Sequence, residues 1–242
     1  MKVEESVMAY VISVISGKGG VGKSTTAIGL AEALCSLGEK VLLVDGDLQF
    51  GYDHVLLGKN PTCSIQDVIN KTCKPEHATI EIRKNLFLLP TSNMGRVKMT
   101  EGFLDPYEGQ YSYIVVDLPA GDVDEMFAFY DIVCAVIEPR AASISVVKSL
   151  YSKLIDMNPN ANFVALMNKL TKKDRMNYET VLSNINVPII GYISDDPECT
   201  TLGCNNRYSL RNTKNFKYYV NSAKWFRDNT TPIIKPKKGW FL

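Results

Sequence analysis

Ser16-Gly17-Lys18-Gly19-Gly20-Val21-Gly22-Lys23-Ser24-Thr25 decides how this 242-residue chain is read. The stretch follows an apolar run over 10–15 and opens a helical pattern over 27–37, so it sits where a strand turns into a helix. Gly17, Gly22, Lys23 and Ser24 fill the spacing GxxxxGK(S/T) in the strand–loop–helix context that a phosphate-binding loop requires. The glycines let successive backbone N–H groups turn inward around a polyphosphate, and the helix N-terminus adds its partial positive charge. Gly19, Gly20, Val21 and Thr25 complete the cradle. Lys23 is placed to reach the β- and γ-phosphates, and the Ser24 hydroxyl to ligate Mg²⁺.

Outward from the loop, apolar runs alternate with helical patterns. Strands are expected over 10–16, 40–45, 86–89, 113–117, 132–137, 163–168 and 189–193, several of them near-continuous Val, Ile and Leu, as suits strands buried on both faces. Helical spacing of apolar residues recurs over 143–155 and 215–227. The alternation predicts an α/β fold with a doubly wound, mostly parallel sheet flanked by helices, which with the phosphate loop is a P-loop NTPase architecture of the SIMIBI class. No repeat or linker interrupts it, so 1–242 reads as one domain, with 230–242 as a flexible basic and aromatic tail.

Ligands of such sheets bind at the carboxyl ends of the strands, and acids stand there. Asp45 and Asp47 follow the second predicted strand, where carboxylates would meet Mg²⁺, its waters or an attacking water. Tyr113-Ile-Val-Val-Asp117 is an apolar strand ending in an acid, which beside a phosphate loop marks Asp117 as a holder of Mg²⁺ through water. Asp122, Asp124 and Glu125 form an acidic cluster suited to capping a helix N-terminus.

Composition excludes several classes. Hydrophobic content is 45% and charged content 22%, an ordinary soluble balance. No apolar run approaches the roughly 18 residues of a membrane span, and 1–6 lacks a signal-like n-region, so a cytoplasmic protein is expected. With two histidines, neither with an orienting partner, no nucleophilic triad is built. The six cysteines contain no CxxC pair and read as reduced thiols: Cys35 and Cys134 in the core, Cys63 and Cys73 flanking a predicted helix, Cys199 and Cys204 near the end. Net charge is +1, yet from Thr201 onward nine basic residues face one acid, leaving the rest of the chain at −7. That basic block suits an acidic surface, either nucleic acid or anionic lipid, or else a solvated helix face.

Lys18, which begins Lys-Gly-Gly-Val-Gly-Lys-Ser-Thr, gives the loop a closer likeness. It resembles the deviant Walker A motif of the MinD/ParA ATPases, a group that also contains the nitrogenase iron protein and arsenical-pump ATPases. The resemblance implies ATP and Mg²⁺ as cofactors and a homodimer with ATP at its interface. Lys18 would cross to the partner's phosphates, with Lys23 and Asp47 as the other catalytic residues. Asp47 matches the aspartate that positions water, and Asp45, with Ser24 and Asp117, supports the metal. Pro119, Ala120 and Gly121 resemble the second switch turn. Asn168 resembles a base-contacting residue. Thr171 stands where a guanine reader would need a carboxylate, which favours adenine. Asp196 and Pro197, within 194–197, match a second base-contacting segment; a simple turn is the other reading.

Within the family, 47–51, 64–68 and 86–90 look most like the CpaE/TadZ branch of Flp pilus assembly. That branch often carries a receiver-like domain not found in this sequence, so MinD-like and flagellar-positioning relatives stay open. The expected function is a Mg·ATP-dependent dimerising ATPase, slow without a partner, that positions pilus, secretion, flagellar, division or partition machinery. Its partners would be proteins of that assembly, and its basic C-terminal region would add nonspecific contact with DNA or with the inner face of the membrane. The alternatives are a nucleotide-binding localisation scaffold with negligible hydrolysis, and a metal-cluster or metallochaperone ATPase using Cys199 or Cys204.

Overall fold

The computed structural model describes residues 8–92, 97–121, 130–160, 162–171, 187–202 and 209–234. In chain order these form β1 (Tyr10–Ser16), α1 (Lys23–Ser36), β2 (Val41–Asp45), α2 (Asp53–Leu56), α3 (Ile65–Ile69), α4 (Pro75–Ala78), β3 (Ile80–Arg83), β4 (Leu86–Leu89) and α5 (Asp105–Glu108). Next come β5 (Tyr113–Ala120), β6 (Ile132–Ile137), α6 (Ala141–Met157), β7 (Asn162–Leu170), β8 (Ile189–Ser194), α7 (Pro197–Leu202) and α8 (Phe216–Asp228). The strands make one sheet in the order β3-β4-β2-β5-β1-β6-β7-β8. Every pairing is parallel except β3 with β4. This is the doubly wound α/β fold expected from the alternation of apolar runs.

The sheet is covered on both faces, and alternate residues of each strand serve opposite layers. Ile12 and Val14 of β1 join Leu43, Cys134 and Val136 in the layer under α1 and α8. Val11 and Ile15 join Leu42, Val44, Ala135 and Ile137 in the layer that also holds Val147, Leu150 and Leu154 of α6. Period-2 burial on both sides explains why the strands read as unbroken Val, Ile and Leu. Helix α1 is buried over Thr26–Cys35 because α8 lies across it, so closely that a Cβ on Gly29 would come within 2.8 Å of the Tyr219 ring.

Four features differ from what the sequence leads one to expect. The antiparallel edge strand β3 stands where no strand is expected: Ile80-Glu-Ile-Arg83 is only four residues long and alternates apolar with charged. Arg83 anchors it through a 2.6 Å ion pair with Glu32, which lies wholly buried in α1 and also accepts from Leu210 N at 2.7 Å. Cys63 and Cys73, expected as free thiols, are joined in a disulfide that closes the loop carrying α3. Residues 230–234, expected in a flexible tail, are fastened: Asn221 donates to Pro232 O and accepts from Ile234 N, at 3.0 and 2.8 Å. Finally, β5 runs three residues past Asp117, so Pro119 and Ala120 lie in the strand, with Gly121 just beyond it. Asp122, Asp124, Glu125, Cys204, Arg207 and 235–242 lie outside the described residues.

Candidate functional site

At the carboxyl end of β1 the chain turns through Gly20 and Gly22, at φ +80° and +90°, before Lys23 starts α1. Both angles lie in the left-handed region, where a side chain is strained, and a Cβ on Gly22 would also stand 2.3 Å from Asn168 Nδ2. Glycine is therefore required for the loop to pass under Asn168. Gly17 is equally constrained at the loop's entry, where a Cβ would meet Val146 Cγ1 at 2.1 Å. Gly19 has open space around it, and Val21 is buried against the core.

Strand β5 lies next to β1, with Val14 opposite Asp117, and this pairing brings the two halves of the site together. Lys23 Nζ meets Asp117 Oδ1 at 2.6 Å, and the Ser24 hydroxyl stands near enough to the same carboxylate to pull its pKa down. Strand β2 lies on the other side of β5 with Asp45 opposite Asp117. Asp45 and Asp117 are both essentially buried, and Asp53 at the start of α2 is too. Asp53 N donates to Asp45 Oδ2 at 3.1 Å.

Three buried acids thus share one lysine amine. Burial, and then the Asp117 charge, pushes Asp45 up to about 8. Burial also raises Asp53 far above the ordinary carboxylate range, with Asp117 and Asp45 adding to it. Asp117 is raised by burial while Lys23 pulls it back. Asp45 Oδ1 and Asp53 Oδ2 have no hydrogen-bond partner among the described residues. Buried acids that keep their protons for want of a countercharge, with oxygens left unspent, are what a divalent cation relieves by displacing those protons, so the donor set fits Mg²⁺. No group of three or more His, Cys, Asp or Glu among the described residues holds an ion by itself, so the cation would arrive with phosphates and waters, as Mg²⁺ does.

The loop, with Lys23 and Ser24, opens into a cleft of about 480 Å³ whose lining also includes Asn168, Lys169, Ser194, Asp195, Asp196 and Asn215, while Asp45, Asp53 and Asp117 lie buried outside that lining. Thr25 and Asp47 also line it. Asp47 Oδ1 accepts from Phe50 N at 3.0 Å, closing its own turn. Asn168 is buried and donates from Nδ2 to Val21 O at 2.9 Å, so its amide braces the phosphate loop at the edge of the cleft. Asp196 is buried, accepts from Glu198 N and pairs with Lys214 at 3.6 Å, while Pro197 begins α7. Burial, with Asp196 beside it, pushes the Cys199 thiol up to about 11.

Lys18 stands apart from its own cleft. Its amine pairs with Glu138 Oε2 at 3.4 Å, at the end of β6. Asp53, Glu138 and Lys169 are the site residues that sequence reasoning missed. Asp53 reads as an ordinary helix-starting acid eight residues after Asp45. Lys169 follows Asn168 at φ +55°, an unusual angle for a non-glycine, and its amine donates to Gly20 O of the loop. A residue directly after a strand at the ligand end was the available signal for both Glu138 and Lys169.

A model of the AAA domain family matches residues 9–164. The septum site-determining protein MinD of Thermotoga maritima is 37% identical over 47% of this chain; the chain spans about half of that relative's length, 45%. The putative MinD of Nephroselmis olivacea is 31% identical over 77% of this chain and 74% of its own. Among solved structures, the MinC:MinD cell division complex of Aquifex aeolicus superimposes with TM-score 0.80 at 25% identity, covering 94% of this chain and 99% of that one. MinD of Pyrococcus horikoshii, complexed with Mg-ADP, shares the fold with TM-score 0.79 at 23% identity, over 92% and 97%. With a family model over more than half its length and a relative at this identity across three quarters of that relative, the chain belongs to the MinD/ParA family of P-loop ATPases.

Proposed function

We propose that the protein binds Mg·ATP, closes it between two copies of itself and hydrolyses it, and that its nucleotide state governs where a large cellular assembly is placed. The observation that carries this is the 2.6 Å contact of Lys23 with Asp117, which gathers a phosphate-reaching amine, the Ser24 hydroxyl and a buried metal-supporting acid at one helix N-terminus. Mg²⁺ would be held by Ser24 and, through water, by Asp117 and Asp45, and it would neutralise charge that builds on the phosphates. Lys23, freed from Asp117 by the phosphates' own charge, would bind the β- and γ-oxygens. Asp47 would orient the attacking water, and Asn168 with Asp196 and Pro197 would flank the adenine.

Slow turnover in isolation is expected from Asp47, whose carboxylate is spent on Phe50 N and must be re-aimed. Septum-site proteins among the relatives favour division or partition machinery, while 47–51, 64–68 and 86–90 favour the pilus branch. Of the basic residues after Thr201, Arg211 donates to Glu32 O, Lys214 pairs with Asp196, Lys217 lies over the Tyr218 ring and Arg227 pairs with Glu39. Contact with nucleic acid or anionic lipid would therefore fall to Arg207, Lys224 and the lysines of 235–238.

The test is Lys18→Ala. Phosphate release and ATP-dependent dimerisation, read by sedimentation velocity, should both be lost while the monomer still binds ATP. Wild-type hydrolysis in the variant would reject the cross-dimer role of Lys18.

A further inference from the structure

Glu138 is an acid at the phosphate loop that the proposed reaction does not use. It comes directly after β6 and is 7% exposed, yet it gathers three cations: Lys18 Nζ at 3.4 Å, Arg140 Nε at 3.6 Å and Lys169 Nζ at 3.7 Å. The first two share Oε2, and the third takes Oε1. All three are ion pairs longer than a hydrogen bond, held by charge instead of by directed geometry.

The backbone around Lys18 is fixed. Gly17 is pressed on Val146 of α6, Ser16 Oγ donates to Lys18 O at 3.0 Å, and Gly121 N donates to Ser16 O at 2.9 Å. The Lys18 side chain is half exposed, at 50%, against 9% for the Glu138 side chain. One partner is anchored and the other is free to swing. Losing one partner normally strands a buried charge at heavy cost. Here Arg140 and Lys169 would stay on Glu138 after Lys18 had gone, so the carboxylate would remain neutralised.

We propose that Glu138 is a latch: it holds Lys18 in cis on its own protomer, and a protomer presents this amine to a second copy only by releasing that ion pair. The inference rests on the dimeric reading of Lys18 under Proposed function and adds a regulatory contact to it. Lys169, at its left-handed φ and bonded to Gly20 O, ties the latch to the phosphate loop, so a polyphosphate entering beneath the loop would compete for the same cations. A latch also has a signature in the arithmetic of association. If each protomer is competent only a fraction of the time, the apparent dimer dissociation constant rises with the inverse square of that fraction. A half-exposed pair that biases Lys18 about fivefold would therefore weaken the dimer about 25-fold.

The experiment measures the dimer dissociation constant of wild type, Glu138→Gln and Glu138→Asp by sedimentation velocity with Mg²⁺ and the β,γ-imido analogue of ATP. ADP affinity of each monomer serves as the control for an intact cleft. Glu138→Gln should dimerise about 25-fold more tightly than wild type. Glu138→Asp, one methylene shorter, should fall between the two and carries the test if the amide variant does not fold. A wild type that dimerises alongside folded variants that dimerise no more tightly overturns the latch and leaves the dimeric reading standing. If neither wild type nor variants dimerise, the dimeric reading fails and the latch fails with it.

Discussion

A carboxylate buried beside other acids keeps its proton, and Asp45 makes native stability depend on pH for that reason. Its ordinary value of 3.8 rises to about 8 in the fold, first through burial and then through Asp117. The unfolded chain gives up this proton near pH 4 and the native state near pH 8, so the native state binds more protons between those limits and stability falls as pH rises through them. Asp45→Asn removes the penalty. In the absence of nucleotide, the variant should melt about 10 °C or more above wild type at pH 8 and converge with it near pH 4. Thermal melts across that range check it, and a wild type that gains stability toward pH 8 would speak against the assignment. Mg²⁺ should reverse the effect by displacing the proton, visible as proton release when Mg-nucleotide binding is measured in two buffers of different ionisation heat. Asp47 makes a separate case, since its carboxylate sits at the lip of the cleft. Asp47→Ala should lower phosphate release by about 100-fold or more with nucleotide binding kept. Equal, near-zero rates in variant and wild type would favour the scaffold reading.

Among the elements, α1 carries both the site and its support. Its N-terminus is shaped by Gly22, and Gly22→Ala would force a side chain at φ +90° against Asn168 Nδ2. The expected result is a loss of ATP affinity of at least tenfold, by calorimetry, with the melting temperature much less affected. Midway along the same helix, Glu32 staples β3 and the segment at Leu210 to the core. Glu32→Ala leaves Arg83 and Leu210 N without their acceptor. Because Arg83 is 28% exposed and can turn to water, the cost should be about 3 kcal/mol in urea unfolding, the low end for a broken buried pair. Legibility divides along the same lines. The loop, Asp45 and Asp117 were readable because each is a local pattern: a glycine spacing, or an acid ending an apolar run. Glu138 and Lys169 carried only the weaker signal of following a strand at the ligand end, and their ties to Lys18 and Gly20 form when β1, β6 and β7 align. Asp53 and the Cys63–Cys73 pair depend on how the segments after β2 fold back, which no residue spacing marks. Strand β3 was invisible for a related reason, being held by Arg83 and an antiparallel neighbour instead of by its own four residues.

At the scale of the molecule, the sheet order accounts for the site. Strands β1, β2 and β5 lie side by side, and their carboxyl ends deliver the loop, Asp45 and Asp117 to one place. Strands β6, β7 and β8, on the other flank, deliver Glu138, Asn168, Lys169 and Ser194. The alternation of apolar runs foretold this arrangement because parallel strands buried on both faces leave little other reading. No helix among the described residues is long and apolar enough to cross a membrane. The proposed activity depends on the cleft gripping an adenine nucleotide with Mg²⁺. Isothermal titration of the nucleotide-free protein with ATP, with and without Mg²⁺, in wild type and Lys23→Ala, tests that most directly. The predicted result is saturable binding by wild type that weakens at least tenfold when Mg²⁺ is withheld and is lost in the variant. Absence of ATP binding by wild type with Mg²⁺ present, or equal binding with and without the metal, would contradict it.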